Sequence, residues 1–199
     1  MSIVIPFRSS NDLWRQQSVR YISKHMSKYK PIFADSGDTP FSRSGSRNAG
    51  AAQCEDDVIL FLDADTYIPH EQIDAAIDLA RQGYMVHPFT HYHFFNGKET
   101  KAIYRTNVID YSRSEWNIDY ATGGAIALPR EMFFDYGGYD EEFIDWGYED
   151  AAFILVRQKA GHEVKRIDGN CAHLWHPRPE NWKAIQENEK RYIEQYLNS

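Results

Sequence analysis

Two aspartates separated by one residue are the first groups that could bind a metal ion. Asp63 and Asp65 follow directly after Val58–Leu62, an apolar run that predicts a buried strand. Open α/β sheets bind ligands beyond the carboxyl ends of their strands, so both carboxylates are expected at a ligand-binding edge. Hard carboxylate oxygens suit Mg²⁺ or Mn²⁺, either of which could bridge a diphosphate. A solvated turn is the alternative interpretation of this Asp-x-Asp motif.

A second group of acidic residues lies where a helix is expected to begin. Residues 140–150 carry six carboxylates, and the last two, Glu149 and Asp150, start a helical pattern. As charges at a helix N-terminus, they would stabilise the helix by only about 0.3–1 kcal/mol. As a general base, one of them would raise the reaction rate by about 10²–10⁴-fold. The adjacent Trp146 and Gly147 offer an apolar platform and a close approach that a helix start does not need, so the pattern favours catalysis.

Histidines near the end of the chain offer nitrogen ligands to the same site. His173 and His176 lie within a short apolar segment, and a neutral imidazole binds ions such as Mn²⁺ or Zn²⁺. Positions 173 and 176 face opposite sides of an extended segment, so we expect only one of them to reach Asp63 and Asp65. Three further histidines on predicted strands are expected to be structural: His87, His91 and His93.

Basic residues near the start of the chain predict an anion site. Arg8 follows the first predicted strand, and Arg43 and Arg47 flank a Ser-Gly-Ser segment at the start of a predicted helix. A helix N-terminus of this composition can bind phosphate. The chain has neither a P-loop sequence nor a Gly-x-Gly-x-x-Gly after a strand, which argues against P-loop kinases and nicotinamide-dependent enzymes.

The elements that position these residues alternate between strands and helices in the first third of the chain. This alternation predicts a mostly parallel central sheet flanked by helices. Strands are predicted over residues 2–7, 31–34 and 58–62, and helices over residues 11–27, 44–53 and 70–81.

The second half of the chain is less regular, and no linker divides it from the first half. Strands are predicted over residues 84–87, 90–95, 125–128, 164–167 and 171–174, and helices over residues 149–159 and 180–197. Residues 98–114 form a helix or a loop, and residues 136–148 form a loop. We therefore expect one α/β domain over residues 1–199.

Composition limits the remaining possibilities. The chain of 199 residues has a formal charge of −7 and 42% hydrophobic residues, which is typical of a globular protein. No apolar run approaches the ~20 residues of a membrane span, and the N-terminus lacks a signal-peptide layout. Only two cysteines occur, Cys54 and Cys171, which predicts a reducing, cytoplasmic location. The acidic charge argues against a broad nucleic-acid footprint but leaves room for a local basic groove.

Taken in order, these motifs resemble those of nucleotide-sugar glycosyltransferases with the GT-A fold, most closely the β-1,4-galactosyltransferase and family 2 group. Pro6-Phe7-Arg8 is similar to an opening strand that lies against the nucleotide. Asp35 matches an acidic residue that contacts the uracil or ribose. Arg47, with Asn48 and Gly50, resembles the helix start that precedes the metal strand.

The resemblance continues through the site residues themselves. Asp63-Ala64-Asp65 is similar to the family Asp-x-Asp motif, in which the second carboxylate binds the metal. The segment that includes Gly124 resembles the Gly-Gly strand lining the donor sugar. Residues 146–150, Trp-Gly-Tyr-Glu-Asp, are similar to the signature that binds the acceptor and supplies the base. His173 or His176 matches the late metal-binding histidine, and the resemblance does not decide between them.

The resemblance implies an inverting hexosyltransferase with a single GT-A (Rossmann-like) domain. Residues 1–95 would form the nucleotide- and metal-binding half, and residues 96–199 the irregular acceptor and catalytic half. Mn²⁺ or Mg²⁺, held by Asp65 and a histidine, would neutralise the departing nucleotide, and UDP is the nucleotide implied. Asp150 would act as general base, while Trp146, Gly147 and Glu149 would contact sugars.

Two other functions and several acceptors stay open at this point. A nucleotide-sugar-binding module would use the same carboxylates without catalysis. A nucleotidyltransferase also has metal carboxylates at a sheet edge, although the Trp-Gly-x-Glu-Asp block has no evident role in it. The acceptor hydroxyl could belong to a glycan, a protein, a lipid-linked sugar or a modified DNA base. The sequence identifies neither the transferred sugar nor the oligomeric state.

Overall fold

A six-stranded sheet forms the centre of the protein in the computed structural model, which describes residues 1–177 and 181–198. Its strands run in the order β2-β1-β3-β8-β5-β9, and β8 is antiparallel to both of its neighbours while the other neighbouring pairs are parallel. The strands are β1 (Ser2–Pro6), β2 (Ile32–Ala34), β3 (Val58–Leu62), β5 (Met85–His87), β8 (Ala125–Pro129) and β9 (Val164–Arg166).

Both faces of this sheet are buried, which explains why its central strands are apolar throughout. Alternate residues of β3 belong to two different cores: Leu60 packs in one, while Ile59 and Phe61 pack in the other. Side chains alternate across a strand, so a strand covered on both faces needs no polar position. This coverage is the physical reason that Val58–Leu62 could be recognised as a buried strand.

Seven helices of the described residues surround the sheet, and six of them place apolar residues in these cores. The first core includes residues of α1, α3 and α4, and the second includes residues of α2, α5 and α6. The helices are α1 (Leu13–His25), α2 (Arg43–Ala51), α3 (His70–Ala80), α4 (Gly97–Thr106), α5 (Arg130–Asp135), α6 (Glu149–Lys159) and α7 (Trp182–Tyr192).

A second sheet of four strands carries the late histidines. Its order is β4-β10-β6-β7, with β10 parallel to β6 and antiparallel to β4. The strands are β4 (Thr66–Tyr67), β6 (His91–Phe94), β7 (Trp116–Asp119) and β10 (Asn170–His173). Because β4 begins one residue after Asp65 and pairs with β10, this sheet brings the end of β10 beside the Asp-x-Asp motif.

The predicted elements are confirmed with small changes in their bounds. Residues 98–114, left open between helix and loop, contain α4 and a 3₁₀ turn over Tyr111–Arg113. Residues 136–148 contain no helix or strand, as predicted. The predicted helix over 180–197 begins at Trp182 as α7 and continues as a π-helical turn over Ile193–Leu197, while Glu180 lies outside the described residues. Three short elements were not predicted: β4, β7 and α5.

The described residues contain no helix that is both long and apolar enough to cross a membrane. Cys54 and Cys171 are both free and buried.

The close packing of α2 on the sheet gives a stability prediction. A Cβ atom at Gly50 would lie 2.3 Å from Val4 Cγ1 and 2.9 Å from Ala34 Cβ, so Gly50→Ala would force the helix away from β1. We expect the free energy of unfolding to fall by about 1–3 kcal/mol, measured by urea denaturation.

Gly45→Ala is the matched control, because it adds the same methyl group to the same helix. Its nearest neighbours are side-chain atoms of Asp38 and Ser36 on a loop, which can move. Equal destabilisation by both substitutions would contradict the packing argument.

Candidate active site

One carboxylate and two imidazoles meet at the edge where the two sheets adjoin. Asp65, His173 and His176 each present a ligand atom, and these atoms lie within 4.8 Å of one another. His176 Nε2 is 3.1 Å from Asp65 Oδ2, and His173 Nε2 is 4.0 Å from Asp65 Oδ1. Two nitrogen ligands and one carboxylate oxygen fit a divalent ion such as Mn²⁺, with coordination positions left open for other ligands.

The hydrogen bonds of His176 provide an independent test of that fit. Its Nδ1 lies 2.8 Å from the carbonyl oxygen of Pro177, which can only accept, so Nδ1 carries the proton. In the neutral ring, Nε2 therefore directs a lone pair at the carboxylate of Asp65. Two facing lone pairs repel each other unless a proton or a cation lies between them, so the arrangement suits a metal ion.

The charge state of Asp65 also suits a ligand. Burial opposes ionisation of this carboxyl, but the neighbouring His173 and His176 outweigh burial and lower its pKa below the usual value. The side chain is 17% exposed, so it remains reachable from outside. Asp65 is therefore an ionised oxygen donor throughout the physiological pH range.

A second set of charged residues surrounds the buried guanidinium of Arg47, on α2. Arg47 is 3% exposed and contacts three carboxylates: Nη2 lies 2.8 Å from Asp63 Oδ1, and Nη1 lies 3.0 Å from Asp150 Oδ1 and 3.6 Å from Glu149 Oε1. Arg43, one helical turn earlier, lies 3.4 Å from Glu149 Oε1. Arg47 thereby connects the end of β3 with the start of α6.

The two carboxylates at the start of α6 are shifted in opposite directions. Burial raises the pKa of Asp150 to about 7, with the nearby charges of Glu149 and Asp63 adding to it against the opposing effect of Arg47. Burial would also raise the pKa of Glu149, but Arg43 and Arg47 outweigh it and lower the pKa. Adjacent carboxyls with separated pKa values are a pattern of acid–base sites, in which the raised group transfers protons near neutral pH.

Two glycines allow these groups to approach one another. A Cβ atom at Gly123 would lie 3.0 Å from Asp150 Oδ2, and one at Gly124 would lie 2.8 Å from the ring of Tyr92. Gly124 also has a φ of +94°, which L side chains rarely adopt, and its carbonyl accepts the N–H of Asp63. The Gly-Gly segment therefore lies between the Asp-x-Asp motif and Asp150, and together with Arg47 and Tyr139 it lines a narrow crevice.

The other predicted donor residues lie at the carboxyl ends of β1 and β2. Pro6 and Phe7 pair with Ala34 at the end of β2. Arg8 forms a two-pronged ion pair with Asp35, through Nε to Oδ2 at 2.7 Å and Nη2 to Oδ1 at 2.5 Å. Hydrogen bonding from Arg8 lowers the pKa of Asp35.

Two asparagines that the sequence analysis did not assign hold the loop that carries Trp146. Asn48, on α2, donates to the carbonyl oxygen of Tyr139 and accepts the N–H of the same residue, both at 2.9 Å. Asn188, on α7, donates to the carbonyl oxygens of Ile144 and Trp146 and is 4% exposed. The sequence gives no sign that Asn188 is buried, because it lies on a helix of mostly charged residues. Asn48 had a signal, since it follows Arg47 in the Arg-Asn-x-Gly motif.

The acceptor-side residues predicted from the Trp-Gly-x-Glu-Asp motif lie together at the start of α6. Trp146 is 46% exposed, and its ring is therefore available to a ligand. Gly147 has a φ of +109° and its N–H donates to Glu149 Oε2 at 2.9 Å. Glu149 is thus held by its own loop and by two arginines, which leaves Asp150 as the less restrained carboxylate.

The prediction that only one late histidine could reach Asp65 was wrong. It assumed that the extended alternation continues through residue 176, but β10 ends at His173. The chain then turns, and both rings approach the same carboxylate, 5.3 Å apart between centroids. The three histidines expected to be structural lie elsewhere: His87 bonds to the carbonyl of Ala125, His91 to Asp119, and His93 to Ser114 and Asn170.

Comparison with known proteins gives one family and several similar structures. The family model described as Glycosyltransferase like family 2 matches residues 2–176. A curated relative, probable N-acetylgalactosaminyltransferase 9 of Caenorhabditis elegans, is 38% identical over 72 residues, which is 36% of this chain. The match spans only 11% of that relative's length.

Two solved structures of a Drosophila enzyme are similar over the whole chain. The catalytic domain of beta1,4-galactosyltransferase 7 in complex with xylobiose has a TM-score of 0.56 at 19% identity. A mutant of that enzyme in complex with manganese, UDP-Gal and xylobiose has a TM-score of 0.54 at 18% identity. Each likeness covers 100% of this chain and 83% of the other chain, and at such identities it concerns the fold.

The burial of Arg47 gives a prediction about stability. Arg47→Met would remove the shared countercharge of Glu149, which is buried, and of Asp63 and Asp150, which are partly buried. We expect the free energy of unfolding at neutral pH to fall by about 3–5 kcal/mol in urea denaturation. Because the loss comes from ionised carboxylates, it should shrink as the pH is lowered and they become protonated.

Arg81→Met is the control, because Arg81 pairs with Asp57 at 3.2 Å while both side chains are largely exposed. It should cost less than about 1 kcal/mol. An Arg47→Met protein as stable as the wild type would show that the guanidinium does not balance these charges.

Proposed function

Because the chain belongs to the family Glycosyltransferase like family 2 and has the GT-A fold, we propose that this glycosyltransferase moves a hexose from a UDP-sugar to a glycan hydroxyl with inversion. The observation that carries the proposal is that a possible metal site and a carboxylate of raised pKa are connected. Asp63, next to the cluster that contains Asp65, contacts Arg47, and Arg47 contacts Asp150, whose pKa is raised to about 7. A binding module without catalysis would not need a carboxyl whose pKa is raised to about 7.

Asp65, His173 and His176 would hold the divalent ion, with Mn²⁺ preferred over Mg²⁺ because two of the three ligands are imidazoles rather than oxygen donors. The bound ion would neutralise charge on the diphosphate leaving group. The similar Drosophila structure that contains manganese and UDP-Gal supports this assignment.

The nucleotide would lie across the carboxyl ends of β1 and β2. Arg8 and Asp35 form one rigid pair there, so the acidic residue is fixed in orientation for a ribose or uracil contact. Gly124 lines the crevice beside Asp63 and would contact the donor sugar there. We assign Arg47 a positioning role, since its guanidinium is already occupied by three carboxylates.

Asp150 would remove the proton from the acceptor hydroxyl as its oxygen attacks the anomeric carbon. The C–O bond to the acceptor forms, the bond to the diphosphate breaks, and the proton passes to Asp150 Oδ. With a single base on the side opposite the leaving group, one displacement inverts the anomeric configuration, through a transition state similar to that of glycosidases. Trp146 would stack on an acceptor sugar, and Glu149 would orient hydroxyl groups.

Asp150→Asn tests the base. We expect kcat to fall by about 10² or more while UDP-sugar affinity, measured by calorimetry, stays within twofold. In the wild type, kcat/KM should rise with pH through about 7, because a base acts only when ionised. The Asn variant should lose this dependence on pH.

Asp145→Asn is the matched control, since Asp145 lies in the neighbouring loop at a φ of +68° that Asn tolerates. It should keep normal turnover. Unchanged kcat in Asp150→Asn would remove Asp150 as the base.

Asp65→Ala tests the metal assignment. Removing the carboxylate leaves two imidazoles, so the part of UDP affinity that depends on Mn²⁺ should disappear, measured by calorimetry with and without the ion. Asp119→Ala, which removes a carboxylate paired with His91 at 2.8 Å outside the cluster, should retain it. Full activity of the wild type in excess chelator would contradict a metal-dependent reaction.

A further inference from the structure

A large groove lies between α1 and α4, apart from the crevice at Asp150. Its volume is about 1310 Å³, which exceeds the ~300–1,000 Å³ of sites for single small molecules. A space of this size suits a ligand with several linked units.

Each of the two helices contributes a row of basic side chains to this groove. Arg20 and Lys24, on α1, and Lys28, just beyond it, are spaced four residues apart. Lys98, Lys101 and Arg105 follow at helical spacing on α4. A rise of 1.5 Å per residue places successive members of each row about 4.5–6 Å apart along the helix.

The lining is basic although the chain as a whole is acidic. The groove is lined by six Lys or Arg residues and by no Asp or Glu, while the formal charge of the protein is −7. Lys28 pairs with Asp74 at 3.1 Å, but within residues 1–177 and 181–198 the other five cations have no carboxylate within 4.0 Å. A cleft lined by one sign of charge concentrates its field and attracts ligands of the opposite sign.

The floor of the groove is aromatic, and one of its residues is close in the chain to the Asp65, His173 and His176 cluster. Trp14 and Trp175 meet edge to face, 4.6 Å between centroids, and Lys101 Nζ lies 4.9 Å from the Trp14 ring centre. Trp175 lies between His173 and His176 in the chain, and its backbone N–H donates to Thr100 Oγ1 on α4. One end of the groove therefore adjoins the segment that carries both histidines.

We propose that this groove binds an anionic glycan, a linear sugar chain with repeated carboxylate, sulfate or phosphate groups, as the non-reacting part of the acceptor. The inference rests on the proposed function and deepens it by naming the acceptor class. The two basic rows match a ligand whose charges repeat along its length, and the aromatic floor matches the apolar faces of sugar rings.

Neutral polar residues of the lining favour a glycan over a nucleic acid. Gln17, Ser27 and Asn107 are exposed in the groove and can bond to hydroxyl groups. A single-stranded nucleic acid would also meet positive charge and aromatic rings in this groove, and it is therefore the competing outcome of the test.

The test measures binding in the absence of donor. Fluorescently labelled oligogalacturonate, heparin oligosaccharide and a teichoic-type polyol phosphate serve as the three anionic probes, with dextran and a single-stranded oligonucleotide as comparisons. We expect at least one anionic glycan to bind tightly at low ionic strength, more weakly as salt is added, and far better than dextran. The double variant Lys98→Gln/Lys101→Gln should weaken this binding by about tenfold or more.

Lys183→Gln/Lys190→Gln is the matched control, because it removes the same charge from exposed positions on α7. It should bind as the wild type does. Equal binding by the Lys98/Lys101 variant, no preference for any anionic glycan over dextran, or binding of the oligonucleotide alone would each overturn the proposal.

Release of UDP from a UDP-sugar without acceptor separates this inference from the proposed function. The Lys98/Lys101 variant should keep this hydrolysis while losing transfer to the anionic glycan. If hydrolysis persists and no anionic glycan binds, the groove assignment fails and the proposed function stands. If anionic glycans bind but the wild type turns over no UDP-sugar, the acceptor role of the groove fails together with the proposed function.

Discussion

The buried guanidinium of Arg47 is the interaction on which the site depends. It contacts carboxylates from the end of β3 and from the start of α6, two segments separated by more than eighty residues. Isolated carboxylates would not remain ionised at this depth, and three without a cation would repel one another. Three carboxylates face only two arginines, because Arg43 also contacts Glu149, so one negative charge is left unbalanced. This imbalance is consistent with a lowered pKa of Glu149 and a pKa of Asp150 that rises to about 7.

The fold provides the rigidity that such a balance requires. Arg47 lies on α2, which packs on β1 and β2 so closely that Gly50 has no space for a methyl group. Asp63 directly follows a strand that is buried on both faces. Gly123 and Gly124, just before β8, allow the close approach of Asp150 and of the Tyr92 ring. Asn48 and Asn188 hold the loop before α6 from opposite ends, so side-chain hydrogen bonds to the loop backbone fix the position of Trp146.

Two regions of this molecule carry opposite kinds of charged residues. The acidic residues of the site surround two arginines, while the groove beyond Trp175 is lined by Lys and Arg residues and by no Asp or Glu. The short segment from His173 to His176 links the two regions, because Trp175 faces the groove while both rings face Asp65.

The sequence by itself determined the element order, the Asp-x-Asp edge and the family, which the match over residues 2–176 confirms. These features are local: a doubly buried strand must be apolar, and carboxylates that follow it must lie at its carboxyl edge. The role of Arg47, the meeting of both histidines with Asp65 and the basic groove depended on tertiary structure. They arise from side chains far apart in the chain, and from a turn after β10 that breaks the alternation used to predict side-chain direction. The spacing of residues along a chain fixes which face of an element they share, but only packing decides which elements face each other.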